Sequence, residues 1–162
     1  GVTAFDLYTA ETAGNSANDI ALTFQQSAAG AADVNVIRTP SDGYWSHTWM
    51  QQPMTMSGWN ARPTVDAFLT IAHMAGGSWN ETAWGSEAFD QMIIAARAEL
   101  NEDVRRQMYC DMQHMLNDEG GFVNPVFQNS LEATAANVQG YTPHPVGSVS
   151  GFGEGLRNVW LS

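Results

Sequence analysis

Over residues 33–38 the side chains alternate between apolar and polar, with Val34 and Val36 set against Asn35 and Arg38, which predicts a strand. Residues 4–9 read as a second short strand. Between them, residues 17–29 place Ile20 and Phe24 on one face of a helix, and Asn15 with Ser16 supplies N-cap chemistry. Strand, helix and strand at this spacing predict an α/β unit. Residues 39–58 fit no single period. Their Trp45, Trp49, Met50, Met54 and Met56 suit either an irregular strand or an extended helix with a turn. Pro63 then fits a first helical turn, with Arg62 or Thr64 just outside it, before Phe68, Leu69, Ile71 and Ala72. Gly76 and Gly77 close that helix. Ser86 caps an amphipathic helix that buries Phe89, Ile93 and Ala96. Asn101 opens another, where Val104, Met108, Met112, Met115 and Leu116 keep helical spacing until Asp118-Glu119-Gly120-Gly121 stops it. Residues 122–127 read as a strand interrupted by Pro125. From there to Ser162 the chain is rich in Gly, Pro and Val without strong periodicity, and it contains no repeat or interdomain linker.

At 162 residues and 17.6 kDa, positions 1–162 are expected to form one domain with a proper core. Hydrophobic residues make up 44% and charged residues 14%, which places the chain among folded proteins. The net charge is −11 and every basic residue is an arginine. Such a surface repels phosphate backbones and anionic lipid, so nucleic acid and membrane surfaces are not expected as partners. No run of about 18 apolar residues is present, so no insertion into the bilayer is expected. The chain begins Gly-Val-Thr with no initiator Met and no signal-like segment, which leads us to expect a fragment. Cys110 is the single cysteine, so no internal disulfide can form, and beside Val104 and Met108 it is expected to be a small packing residue.

Five of the six tryptophans (Trp45, Trp49, Trp59, Trp79, Trp84) fall in one loop-rich stretch among Gly, Pro and amide residues. Indoles give stiff contact area with a polar handle, and asparagine both donates and accepts hydrogen bonds. Trp59, Asn60, Trp79 and Asn80 are therefore the expected contacts for a small solute. Asn80 could equally satisfy backbone groups in its own turn, and Trp84 is expected to wedge the following helix. Tyr44 and Trp45 either line the cleft or fill the interior. His47, His73, His114 and His144 show no metal-binding pattern, and Asp111, Cys110 and His114 are better explained as a solvated helix surface. No cofactor motif, nucleophile turn or P-loop is present. The acids Glu99, Glu102 and Asp103 suit a helix start, where negative charge is favourable. Asn80-Glu81-Thr82 matches a glycosylation pattern that occurs often by chance.

The order of several short motifs resembles the extracytoplasmic solute-binding proteins of ABC importers, in the family that binds oligopeptides, dipeptides, nickel complexes and opines. Gly58-Trp59 with Pro63, Asp66-Ala67-Phe68, Trp79-Asn80-Glu81-Thr82 and Phe89-Asp90 carry the likeness. So do Ala95-Ala96-Arg97, Arg106-Gln107-Met108-Tyr109, Met112-Gln113, the 118–121 stretch with Pro125, and Val138-Gln139-Gly140-Tyr141. The resemblance covers roughly residues 30 to 145. It implies an α/β fold, one lobe of a two-lobed protein with a mixed sheet flanked by helices, here its C-terminal part. It further implies a periplasmic, monomeric protein that traps a small organic solute between two lobes and delivers it unchanged to a membrane permease, without a cofactor and without enzymatic chemistry. In peptide-binding members the loop after Gly-Trp carries an aspartate that pairs with the peptide's amino terminus. Arg62 falls at or near that position, so the expected charge is reversed. Arg62 either faces an anionic group of the solute or pairs with Asp66 to shape the loop. Two other classes compete with this reading. One is a small enzyme that pairs Asp66 or Asp90 with His47 or His73; the other is an interaction module with an exposed tryptophan patch.

Overall fold

The computed structural model describes residues 3–129, 131–143 and 156–162. The chain divides into two compact units, Gly1–Trp59 and Asn60–Ser162. In the first, β1 (Ala4–Thr9) and β2 (Asp33–Arg38) pair in parallel with Leu7 opposite Val36. Helix α1 (Ala17–Ala28) connects them, as the strand–helix–strand reading expected. Its buried face is built from small side chains: Ala17 and Ala21 are buried, and Phe24 and Ala28 pack where Leu7 and Val34 meet. Ile20, expected on that face, is only half-buried. Ser16 occupies the N-cap position, but its backbone is left-handed (φ 56°) and its side chain makes no capping bond.

Residues 39–58 resolve into a single helical turn, α2 (Tyr44–His47), followed by an extended stretch. That stretch adds to the other edge of β1. The Tyr8 amide donates to the Met54 carbonyl (3.0 Å) and the Met56 amide to the Tyr8 carbonyl (2.8 Å), forming a parallel bridge between Tyr8 and Thr55. Gly58 then meets Gly14 backbone to backbone. A Cβ on Gly58 would lie 3.0 Å from the Gly14 Cα and 3.1 Å from the Ala13 carbonyl, so a side chain there would require the two backbone stretches to move apart by a few tenths of an ångström.

The second unit is helical. Thr64 caps α3 (Val65–Ala72), Ser86 caps α4 (Glu87–Ala98) and Asn101 caps α5 (Glu102–Glu119). In each case the side-chain oxygen accepts from an amide of the first turn, which has no partner within the helix. Pro63 therefore precedes the cap instead of entering the first turn. Helix α3 stops at Ala72, before Gly76 and Gly77, and α5 stops at Gly120 as expected. Leu69, Phe89, Ile93, Ala96, Met112 and Leu116 form the core.

Two expectations fail in this unit. Cys110 is exposed. It lies two positions from buried Met112, and two steps along a helix rotate a side chain to the far face. Residues 122–127 belong to no sheet, because no described strand runs beside them. The sheet present is instead an antiparallel pair, β3 (Val138–Gln139) and β4 (Trp160–Leu161), with Gln139 opposite Trp160. Parallel and antiparallel pairing thus occur in separate two-stranded sheets. No helix among the described residues is long and apolar enough to cross a membrane.

Candidate functional site

Helix α3 brings together the two loops that flank it. The Thr64 cap fixes the chain entering the helix, and the Trp79 amide donates to the Ile71 carbonyl (3.2 Å), which pins the chain leaving it. As a result the Arg62 guanidinium lies over the Trp79 indole, with its central carbon 5.9 Å from the ring centroid. Arg62 Nη1 also donates to the Asn60 carbonyl at 2.9 Å. Asn60 thus contributes a backbone oxygen, while its side chain is on an exposed residue. Trp79 is 43% exposed and Arg62 half-buried, so the pair is reachable from solvent. A guanidinium over an indole joins a cation–ring attraction to planar N–H donors, a combination whose chemistry suits a carboxylate. Asp66 is engaged elsewhere. Its Oδ1 accepts from Arg97 Nε at 2.8 Å, and Arg97 Nη2 also reaches the Thr70 hydroxyl, tying α3 to α4. Burial first, and then the neighbouring Asp66 carboxylate, raise the pKa of Tyr109 on α5.

Asn80 takes the structural course of its two readings. It is buried, its amide nitrogen donates to the carbonyls of Met74 (3.3 Å) and Trp84 (2.6 Å), and its amide oxygen accepts from the Thr82 hydroxyl (3.1 Å). Thr82 in turn accepts from the Trp84 amide (3.2 Å). The amide that could have met a solute is thus committed to its own loop. Thr82 was overlooked as a loop organiser. The signal was the Asn-Glu-Thr spacing itself, in which the hydroxyl two residues on reaches back to the amide. Trp84 packs edge-on against Phe89 (5.2 Å, 75°) in the helical core, as expected of a wedge. An open concavity of about 280 Å³ lies beside this loop, lined by Gly76, Gly77, Ala83 and Gly85 with Asn80 and Trp84.

In the first unit Tyr44 is wholly buried, and its hydroxyl donates to the Met56 carbonyl at 2.6 Å. It fills the interior and lines no cleft; the phenol is needed to satisfy the backbone of the strand beside β1. Trp45 remains 44% exposed, with its ring edge-on to Tyr44 and Trp49 and its Nε1 donating to the Thr12 hydroxyl (3.3 Å). Trp59 is half-buried. Of the seven expected contacts, Asn60, Arg62 and Trp79 are brought together, while Tyr44 and Asn80 serve the interior.

The carboxylate–histidine pairs do not assemble. Asp90 accepts from the Ala75 amide (3.0 Å), Asp66 is held by Arg97, and no hydrogen bond joins either to His47 or His73. His73 is buried between two rings, Phe68 edge-on at 5.4 Å and Phe122 stacked at 4.8 Å. Its Nε2 has no hydrogen-bond partner, and burial lowers its pKa against the opposing pull of the Glu81 carboxylate. Among the described residues no group of His, Cys, Asp and Glu could hold a metal ion, and His144 lies outside them.

No family model matches the sequence. Over 78 residues, 48% of this chain, it is 30% identical to the dipeptide-binding protein DppE of Bacillus subtilis, of which that stretch is 14%. The structure superposes on the ABC transporter-associated periplasmic binding protein DppA of Helicobacter pylori, solved with the peptide STSA. The TM-score is 0.73 at 22% identity, covering 99% of this chain and 31% of that one. A putative peptide-binding protein AppA from Clostridium difficile matches with a TM-score of 0.75 at 14% identity, covering 100% of this chain and 34% of that one. The fold read from the ordered motifs is upheld: the chain is similar to peptide-binding solute-binding proteins associated with ABC transporters, and spans about a third of the length of the two structures.

Proposed function

We propose that these 162 residues are the C-terminal part, a single functional lobe, of a longer solute-binding protein that delivers a small organic solute to an ABC importer. The observation that carries the reading is the superposition over 99% of the chain on a peptide-bound relative. The solute is held between this lobe and a second one, and closure of the pair presents the surface that a membrane permease recognises. The protein works as a periplasmic monomer and binds its cargo without covalent change, in keeping with relatives described as binding proteins. Arg62 and Trp79 are its solute contacts here, with Asn60 holding Arg62 in place; Trp45 and Trp59 offer further indole surface in the first unit.

A guanidinium over an indole suits a solute with a carboxylate beside a flat or apolar part. In the intact protein, Arg62→Ala is expected to weaken binding of a free-acid peptide by about 10- to 100-fold, and Arg62→Lys to recover little of it, since a point charge does not reproduce the fork. Calorimetric titration with free-acid and C-terminally amidated peptides measures both. Unchanged affinity of Arg62→Ala removes the ligand role, and failure of the unmodified protein to bind any peptide removes peptides as the cargo.

A further inference from the structure

Beyond α5 the chain leaves the helical core as if to meet something else. Gly121 fits against Thr82, where a Cβ would come within 3.0 Å of the Thr82 Cβ, and Phe122 stacks on His73. From there residues 123–129 are all exposed and belong to no sheet or helix. Their composition is not that of a solvated loop. Val123 is 62% exposed, Val126 47% and Phe127 92%, and these are strand-forming residue types. In an extended chain alternate side chains share a face, which puts Val123, Pro125 and Phe127 together on a wholly apolar side. Pro125 removes one backbone donor. It leaves the opposite edge, where Asn124 and Val126 carry their N–H groups, able to pair. A small domain seldom leaves such a row uncovered.

We infer that residues 122–129 form a strand whose missing neighbour is supplied by the part of the same polypeptide outside these 162 residues. This rests on the proposed function, because it requires the longer protein. The length of chain available supports that occupant. The two solved relatives match this chain over 99–100% of its residues and have about two thirds of their own length left over. The pairing edge lies on the Asn124 and Val126 side, and the Val123–Pro125–Phe127 face packs against apolar residues of that remaining portion.

Hydrogen–deuterium exchange of the intact gene product, read on peptides spanning residues 122–129, tests this directly. The amides of Asn124 and Val126 are expected to exchange about 100-fold or more slower than an unstructured chain. Phe127→Asp is expected to abolish that protection while leaving exchange in α4 and α5 unchanged. Exchange at the unstructured rate in a protein that still binds its solute overturns the strand and spares the importer reading. Protection that vanishes on dilution, together with a change from dimer to monomer mass, places a second copy on this edge and also overturns it. A gene product that ends at this length removes both readings.

Discussion

Ser16 and Asn101 both stand at the start of a helix, yet only one of them caps. Asn101 Oδ1 accepts from the amides of Asp103 and Val104 at 3.0 and 3.2 Å, whereas Ser16 holds a left-handed backbone and makes no capping bond. Asn101→Ala should therefore cost about 1 kcal/mol of stability, while Ser16→Gly, which relieves the left-handed strain, should be neutral or stabilising. Chemical denaturation of the two variants checks this, and an equal loss in both would refute the distinction. His73 carries a second residue-scale expectation. Its lowered pKa means that, once pH falls below the ordinary 6.5, the unfolded chain binds more protons than the folded one. The stability this ring contributes is complete above about 6.5 and is lost as pH falls through the lowered native value. His73→Phe keeps the stacking on Phe68 and Phe122 but removes both the titration and the unsatisfied Nε2. Its melting temperature should fall less than that of the parent between pH 7 and 5, and its stability at pH 7 should be equal or higher by about 1 kcal/mol. Parallel pH profiles would show that His73 does not govern this dependence.

At the scale of elements, what could be read in advance was whatever a local period or cap determines. β2 follows its alternation, and α4 and α5 begin at the residues whose side chains could cap them. Residues 39–58 were illegible because their structure is set by a distant partner. The extended stretch around Thr55 exists only because the other edge of β1 accepts it. Residues 122–127 failed for the complementary reason: the strand character is present in the side chains, but no described strand is there to pair with them. The candidate site divides in the same way. Arg62 and Trp79 are seventeen positions apart, and only the folding of α3 between them brings one over the other, so sequence could nominate both but not the contact. Asn80 was ambiguous because its amide suits a ligand and a tight loop equally. The hydroxyl of Thr82 and the carbonyls of Met74 and Trp84 decide in favour of the loop.

For the whole molecule the governing quantity is the fraction of the fold present. This chain covers 31–34% of the two solved relatives, so on the proposed function a trapped solute would have most of its surroundings elsewhere. A ligand can shift an open–closed equilibrium only by its differential affinity for the two states. With one jaw alone there is no closed state to favour. What remains is an exposed indole with a guanidinium across its face, and an open surface of this kind lacks the enclosure that lets a pocket cover most of a ligand. The 162-residue chain by itself is therefore expected to bind the solute of the intact protein at least about 100-fold more weakly, a loss of roughly 2.7 kcal/mol or more. Side-by-side titration of the two proteins with the same peptide measures the ratio. Equal affinities would mean that this chain carries the whole site. The second lobe would then be unnecessary for capture, and closure could not be what the solute drives.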